Sequence, residues 1–124
     1  MRMISRLAAV LAFAGSVSCG GGGGGGTGPM PPPSAITMHL TGANGGMYIP
    51  AVDTVAAGGT VTWIWDDSDH DVTSDGPQTF PSSAHKTTPF TYGPIIMPTA
   101  GTYNFHCTNH GTPGAGMHGT VVAQ

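Results

Sequence analysis

The side chains best suited to chemistry lie in one C-terminal stretch, residues 101–119, which reads GTYNFHCTNHGTPGAGMHG. It contains Cys107, His110 and Met117, which offer a thiolate, an imidazole and a thioether. Sulfur ligands beside imidazole suit copper that cycles between two oxidation states, whereas hard cations prefer oxygen. Structural zinc is bound by Cys, His or carboxylate side chains, and methionine is not among its usual ligands. The stretch therefore predicts a copper site that needs a second histidine, and His70 is the candidate.

The strand that carries the cysteine is expected at residues 102–107. Successive side chains of a strand point to opposite faces. The face expected to be buried carries Tyr103, Phe105 and Cys107. His106 then points outward and is not expected to be a ligand, although it is next to the cysteine. The same alternation places His39 on an outer face, opposite in phase to the apolar residues around it.

Short runs of Thr, Val and aromatic residues, broken by Gly and Pro, fill the rest of residues 35–124. No stretch has the 3.6-residue period of a helix, so the chain is expected to be all-β. Seven or eight strands are typical of a two-sheet sandwich. Strands are expected at 35–40, 47–55 (with Pro50 at an edge or bulge), 60–65, 70–73, 90–92, 95–97, 102–107 and 120–123.

His70 follows the inner strand 60–65, in the segment DDSDHDV. If the sandwich brings the end of that strand beside the end of the cysteine strand, His70 lies across from Cys107. On the other side, Pro113 and the surrounding glycines allow the chain to fold back and bring Met117 over the same point. The metal ligands are therefore expected to converge from two distant parts of the chain.

The N-terminus has the pattern of a secretory signal at residues 1–18, with two arginines, a short apolar run and then small residues. The run is shorter than the roughly 20 apolar residues that cross a bilayer. Cys19 comes next and is similar to the acylated first residue of bacterial lipoproteins, although Ser16 stands where that pattern usually has Leu. Residues 19–34 are expected to be a flexible Gly/Pro-rich tether and 35–124 one folded domain. The protein is thus expected to be exported, to the periplasm or cell surface, and either anchored through Cys19 or released.

Charge and cysteine content narrow the function further. Without residues 1–18 the chain has one Lys, no Arg and six Asp, a formal charge of −5. This argues against nucleic acid and against electrostatic binding to anionic lipid. The folded part holds only Cys107, so no disulfide can form within it. An unpaired cysteine in an oxidising compartment is reactive unless it is buried or coordinated, which favours a ligand role.

Two separated segments resemble the cupredoxins, the small blue copper proteins that include plastocyanin, pseudoazurin and amicyanin. They are AAGGTVTWIWDDSDHDV and PTAGTYNFHCTNHGTPGAGMHGTVV. The resemblance implies a Greek-key β-sandwich in which His70, Cys107 and His110 are equatorial copper ligands and Met117 is the long axial ligand. Six residues separate His110 from Met117, where the commonest cupredoxin patterns have two or four. His118 is the alternative axial ligand.

The function that the resemblance implies is that of a single-electron carrier, not an enzyme. One copper ion per chain, Cu(II)/Cu(I), would form a mononuclear type 1 (blue) site in a monomer. Its partner would be a redox protein such as a cytochrome or a copper oxidase or reductase, approached through the apolar surface near His110. The acidic segment 66–75 would either orient a positively charged partner or simply be solvated.

Three other functions remain open at this level. A copper delivery or storage protein would use similar ligands, but it would more naturally cluster several Met and His at its surface. An oxidase or nitrite-reductase-type domain is suggested by His106 beside Cys107, similar to enzymes in which that histidine reaches a second copper; it would need further histidines from another domain. A metal-free scaffold would leave Cys107 unexplained.

Overall fold

A computed structural model describes residues 28–124 of the chain. The elements are β1 (Ala35–Thr41), a short 3-10 turn (Ala43–Gly45), β2 (Met47–Ile49), β3 (Val52–Val55), β4 (Thr60–Trp65), β5 (Thr73–Asp75), β6 (Thr91–Ile96), β7 (Gly101–Thr112) and β8 (Ala115–Ala123). The signal sequence predicted at 1–18, and the part of the tether up to residue 27, lie outside the described residues. Within residues 28–124 no helix has the length and apolarity needed to cross a membrane.

The strands form two four-stranded sheets packed as a sandwich, as the sequence predicts. One sheet has the order β2-β1-β4-β6 and the other β3-β8-β7-β5. Both sheets are mixed, because β1 runs parallel to β4 and β3 runs parallel to β8. The candidate ligands come from both sheets, since Cys107 and Met117 lie on β7 and β8 whereas the loop to His70 leaves β4.

The core is built around the alternating side chains of β4. Val61, Trp63 and Trp65 point inward and are each at most 2% exposed. The Trp63 ring stacks on Phe80 at 5.1 Å between ring centroids and meets Phe105 of the opposite sheet edge-on at 5.5 Å. Each large apolar side chain buried in this way contributes about 1.5 to 3 kcal/mol. The aromatic contacts tie the two sheets together directly below the candidate site.

The run expected to form one strand at 47–55 is divided between the two sheets. Its first part, β2, pairs with β1, and its second part, β3, pairs with β8. Pro50 lies between them and has no N–H to donate to a ladder, so pairing is interrupted there. This segment closes one side of the sandwich.

The strand expected at residues 70–73 begins later, because β5 is Thr73–Asp75. His70 makes only an isolated bridge to Lys86. Asp69 has a φ of 77°, a left-handed conformation that turns the chain immediately before the histidine. The two runs expected at 90–92 and 95–97 form the single strand β6, whose pairing with β4 shifts register between Val61 and Trp63.

The Gly-rich stretch after Cys107 is a hairpin, where a loop was expected. Strand β7 continues to Thr112, and β8 begins at Ala115. The turn between them contains Pro113 and Gly114, and Gly114 has a φ of 74°, which glycine adopts readily. The β7–β8 ladder shifts register between His106 and Gly111. The longer spacing before Met117 is therefore accommodated by extending the hairpin.

Candidate metal centre

Three side chains, two from β7 and one from the loop between β4 and β5, meet at one end of the sandwich. The Cys107 sulfur lies 3.4 Å from Nδ1 of His110 and 3.9 Å from Nδ1 of His70. The two imidazole rings are 5.0 Å apart between centroids and tilted by 54°. One ligand atom from each residue lies within 4.8 Å of the others. The structure therefore brings together the thiolate and both imidazoles that the sequence singled out.

The spacing of these atoms matches a shared metal ion. A metal bonded to sulfur at about 2.3 Å and to imidazole nitrogen at about 2.0 Å, with trigonal angles, holds those two ligand atoms about 3.7 Å apart. The observed separations of 3.4 and 3.9 Å bracket that value. Two imidazoles and a thiolate are also the donor set of trigonal blue-copper sites. The donors present thus fit copper in both chemistry and spacing.

Strand phase places the cysteine inside and its neighbour outside, as predicted. Cys107 is fully buried at the end of the core cluster that contains Tyr103 and Phe105. His106 points to the opposite face, where its Nδ1 donates to the carboxylate of Asp75 at 2.9 Å. His39 is likewise on an outer face, with its Nδ1 donating to Asp66.

His70 is fixed through its backbone and its ring, and its side chain is 0% exposed. Its carbonyl accepts from the indole N–H of Trp65 at 2.9 Å and from the backbone N–H of Lys86 at 2.9 Å. The outer ring nitrogen, Nε2, donates to a carboxylate oxygen of Asp67 at 2.7 Å. That bond leaves Nδ1 as the nitrogen that faces the cysteine sulfur. A metal-binding histidine commonly donates its other N–H to such an acceptor, which sets the tautomer and the ring plane.

The Asp67 carboxylate is itself held in place. It accepts from the backbone N–H of Gly42 at 2.6 Å and from the hydroxyl of Thr41 at 3.3 Å. The Gly42 N–H lowers the pKa of the Asp67 carboxyl below its ordinary value, and the His70 ring contributes further to this lowering. The group that orients His70 is therefore an ionised carboxylate connected to the end of β1.

A second carboxylate joins the loop that carries His70 to strand β7. Asp71, 4% exposed, accepts from the backbone N–H of Thr108 at 2.9 Å and also from the Thr108 hydroxyl. Its own carbonyl accepts from the hydroxyl of Tyr48 at 2.7 Å. Burial raises the pKa of the Tyr48 hydroxyl far above its usual range, so that group remains a neutral donor. The neighbours of His70 and Cys107 are thus clamped to each other independently of any metal.

His110 and Met117 line the other side of the centre. Met117 is 1% exposed, whereas His110 is half-buried. Gly46 packs against both, because a Cβ at that position would lie 2.9 Å from the Met117 sulfur and 2.9 Å from Cβ of His110. The thioether therefore reaches the same corner as the His110 ring. His118 points outward, and its Nδ1 donates to the carbonyl of Gly116 at 3.0 Å.

Sequence reasoning did not find three residues that shape this centre. Asp67 precedes His70 by three positions, a spacing that in a loop carries no directional information. Asp71 directly follows His70, but its bond to Thr108 joins residues 37 positions apart, which no local pattern predicts. Gly46 reaches the centre only through the tertiary fold, and no local signal marks it.

Comparison with known proteins identifies the fold. No protein-family model and no curated protein sequence matches the chain. Among solved structures, a purple cupredoxin from Nitrosopumilus maritimus is similar at 23% identity and a TM-score of 0.56, covering 71% of this chain and 98% of that one. The reduced state of an amicyanin variant is 28% identical with a TM-score of 0.53, covering 73% and 82%. A pseudoazurin from Sinorhizobium meliltoi is 21% identical with a TM-score of 0.52, covering 73% of each chain.

These structural neighbours are cupredoxins. Residues 28–124 have the cupredoxin fold, an all-β sandwich of eight strands in two mixed sheets. The neighbours support copper binding and electron transfer in general terms, together with the grouped His70, Cys107 and His110.

Proposed function

We propose that this chain is a single-electron carrier with one type 1 (blue) copper ion, held by His70, Cys107 and His110 with Met117 as the axial ligand. The observation that carries the proposal is the buried cysteine sulfur facing Nδ1 of both histidines, at 3.9 and 3.4 Å. When bound, copper supplies a one-electron couple between Cu(II) and Cu(I) that this mixed imidazole and sulfur ligand set suits. The buried position of Met117 favours it over the outward-facing His118 as the fourth ligand.

The protein's part in this function is to fix the positions of the ligands and to exclude water from them. His70 and Cys107 are fully buried, which excludes water from their side of the centre. The hydrogen bonds from the His70 ring to Asp67 and from Thr108 to Asp71 fix the loop that presents the imidazole and the strand that presents the thiolate. Ligands that do not move between oxidation states favour fast electron transfer, because little structural reorganisation accompanies the change of charge.

Electrons would enter and leave at the edge near His110. That ring is half-buried, and Pro113 and Ala115 of the same hairpin are exposed and apolar. The partner would be a redox protein, for example a cytochrome or a copper oxidase or reductase, and the carrier would act as a monomer. The acidic segment 66–75 would present its negative charge to a positively charged partner, although Asp66, Asp67 and Asp69 each lie within 3.0 Å of a histidine nitrogen.

The site of action would be outside the cytoplasm. The signal-like residues 1–18 and Cys19 support export to the periplasm or cell surface, with a lipid anchor as one form of attachment. Mass spectrometry of the native N-terminus distinguishes an anchored protein from a released one, because an acylated Cys19 is heavier than a free one by its acyl chains. A mature N-terminus at another residue would overturn the anchor.

A reductive titration of the copper-loaded protein tests the proposed function. It should take up one electron per chain reversibly, with the same copper ion retained through repeated cycles. A delivery or storage protein would instead release copper to a competing chelator when reduced, and an oxidase-type domain would consume oxygen in the presence of a reductant. Either result would replace the carrier proposal.

A further inference from the structure

Two histidines outside the proposed copper centre lie side by side on the outer face of strands β7 and β8. His106 and His118 are direct partners in the antiparallel register. Their neighbours Cys107 and Met117 are buried, so alternation turns both histidines outward on the same face. Side chains directly opposite each other in an antiparallel pair have Cβ atoms about 4.5 to 5.5 Å apart, within reach of one ion.

Both rings are oriented by a bond from the same nitrogen. Nδ1 of His106 donates to Asp75 at 2.9 Å, and both side chains are only 12% exposed. Nδ1 of His118 donates to the carbonyl of Gly116 at 3.0 Å. In each ring the nitrogen left outside these bonds is therefore Nε2. Metal-binding histidines commonly show this pattern, with one nitrogen donating to a carboxylate or carbonyl and the other free to coordinate.

A cavity of about 390 Å³ adjoins His118 and Asp75, and its lining also includes Pro113 and Gly114. The second carboxylate oxygen of Asp75 is buried and has no hydrogen-bond partner within residues 28–124. A buried acceptor without a donor is costly, and native proteins usually satisfy it. Water molecules coordinated to an ion in the cavity would supply the missing donor.

We propose that His106 and His118 form a second metal site, which binds a divalent transition ion such as Zn²⁺ through Nε2 of each ring. Water completes the coordination, and Asp75 holds the His106 ring. Imidazole ligands suit zinc, nickel and Cu(II), and a single neighbouring carboxylate does not meet the oxygen demand of calcium. The site lies on the opposite face of β7 from the thiolate centre. It contains no sulfur, so its chemistry differs from that of the thiolate centre.

Titration of the full-length protein with Zn²⁺, with the cysteine centre already loaded with Cu(I) under anaerobic conditions, tests this site. Histidine ring resonances observed by NMR report where the ion binds. The signals of His106 and His118 should shift together and saturate at one equivalent, and those of His70 and His110 should not. Because each ring is followed separately, the result does not depend on the role of the copper centre.

Two substitutions make the test specific. His118→Asn, at an exposed position, should weaken Zn²⁺ binding about tenfold or more, as loss of a ligand or of its support generally does. His39→Asn is the matched control, because His39 also donates Nδ1 to a carboxylate but faces Ile49 and Ile64 across its strands and has no second histidine. Unshifted His106 and His118 resonances, or equal weakening in both variants, would overturn the site.

Discussion

His70 and His110 belong to the same candidate centre, but the protein holds the two rings by different means. His70 is enclosed, and bonds to its carbonyl, its N–H and its outer ring nitrogen all come from the protein. The His110 ring lies on an extended hairpin and, within residues 28–124, its only hydrogen-bonding contact is with the Cys107 sulfur. Packing against Gly46, rather than bonding, positions this second ring.

The difference indicates that the His70 side and the hairpin side of the centre are stabilised by different interactions. The His70 side is formed by the folded protein before any metal arrives, because its carboxylates bond to backbone groups and hydroxyls. The hairpin side depends on close packing of glycine against a ring and a thioether, and its histidine is the more exposed of the two. Substitutions on the first side should therefore change stability and metal affinity, and those on the second should change the electronic properties of the centre.

The largest effect is expected from Asp71→Ala. Removing this buried carboxylate takes away two hydrogen bonds to Thr108, and the loss should lower the free energy of unfolding by about 3 kcal/mol. Urea denaturation of the metal-free protein measures it. Asp71→Asn keeps one acceptor oxygen and should cost about 1 kcal/mol. Equal losses for the two variants would show that the clamp does not depend on the carboxylate.

Gly46→Ala tests the packed side. The new methyl group would contact both the Met117 sulfur and the His110 ring, and the backbone φ of 100° is unfavourable for alanine, so a loss of about 2 kcal/mol is expected. The absorption spectrum of the copper-loaded variant should change as well. Gly45→Ala is the control, because its φ is 88° but its methyl group would meet nothing within 4 Å. An unchanged spectrum in Gly46→Ala would show that packing against Gly46 does not position the His110 ring and the Met117 thioether.

Asp67→Asn should weaken copper binding about tenfold, since substitution of a carboxylate that orients a metal-binding histidine typically costs 10- to 100-fold in affinity. Competition with a chelator measures the affinity. Asp66→Asn provides the comparison, because Asp66 accepts from His39 in the same way but His39 is not a candidate ligand. If both substitutions weaken binding to the same extent, loss of one negative charge explains the effect, and the bond that orients His70 does not contribute to copper affinity.

Met117→Gln should have the smallest effect on binding and a clear effect on potential. The amide oxygen is a harder ligand than the thioether and favours Cu(II), so the reduction potential should fall by about 59 mV for each tenfold gain in that preference. Voltammetry measures the shift, and the blue colour should persist. His118→Gln should change neither property. A shift with His118→Gln and none with Met117→Gln would reverse the axial assignment.

Much of the fold could be predicted because period-two alternation is a local property. It correctly placed the β4 side chains inward, Cys107 inward, and His39 and His106 outward. The sequence predicts a loop where the structure has the hairpin, because Pro and Gly mark turns without showing how far the strands on either side continue. It also predicts a strand at 70–73, whereas the chain turns at the left-handed Asp69 and β5 begins only at Thr73.

The candidate site was predictable only in part, for a physical reason. Ligand types are read directly from the sequence, and His70, Cys107 and His110 do meet in the structure. The groups that hold them come from contacts between distant segments: Gly42 with Asp67, Asp71 with Thr108, and Gly46 with His110 and Met117. Such pairs have no local signature. The role of the four predicted residues as copper ligands stays a prediction.

The absorption spectrum of the protein after addition of one equivalent of Cu(II) tests the central claim most directly. Charge transfer from the Cys107 thiolate to copper held by two imidazoles should give an intense blue colour, and Cys107→Ser should abolish it. A colourless or pale protein, or a colour that survives Cys107→Ser, would contradict the blue-copper assignment.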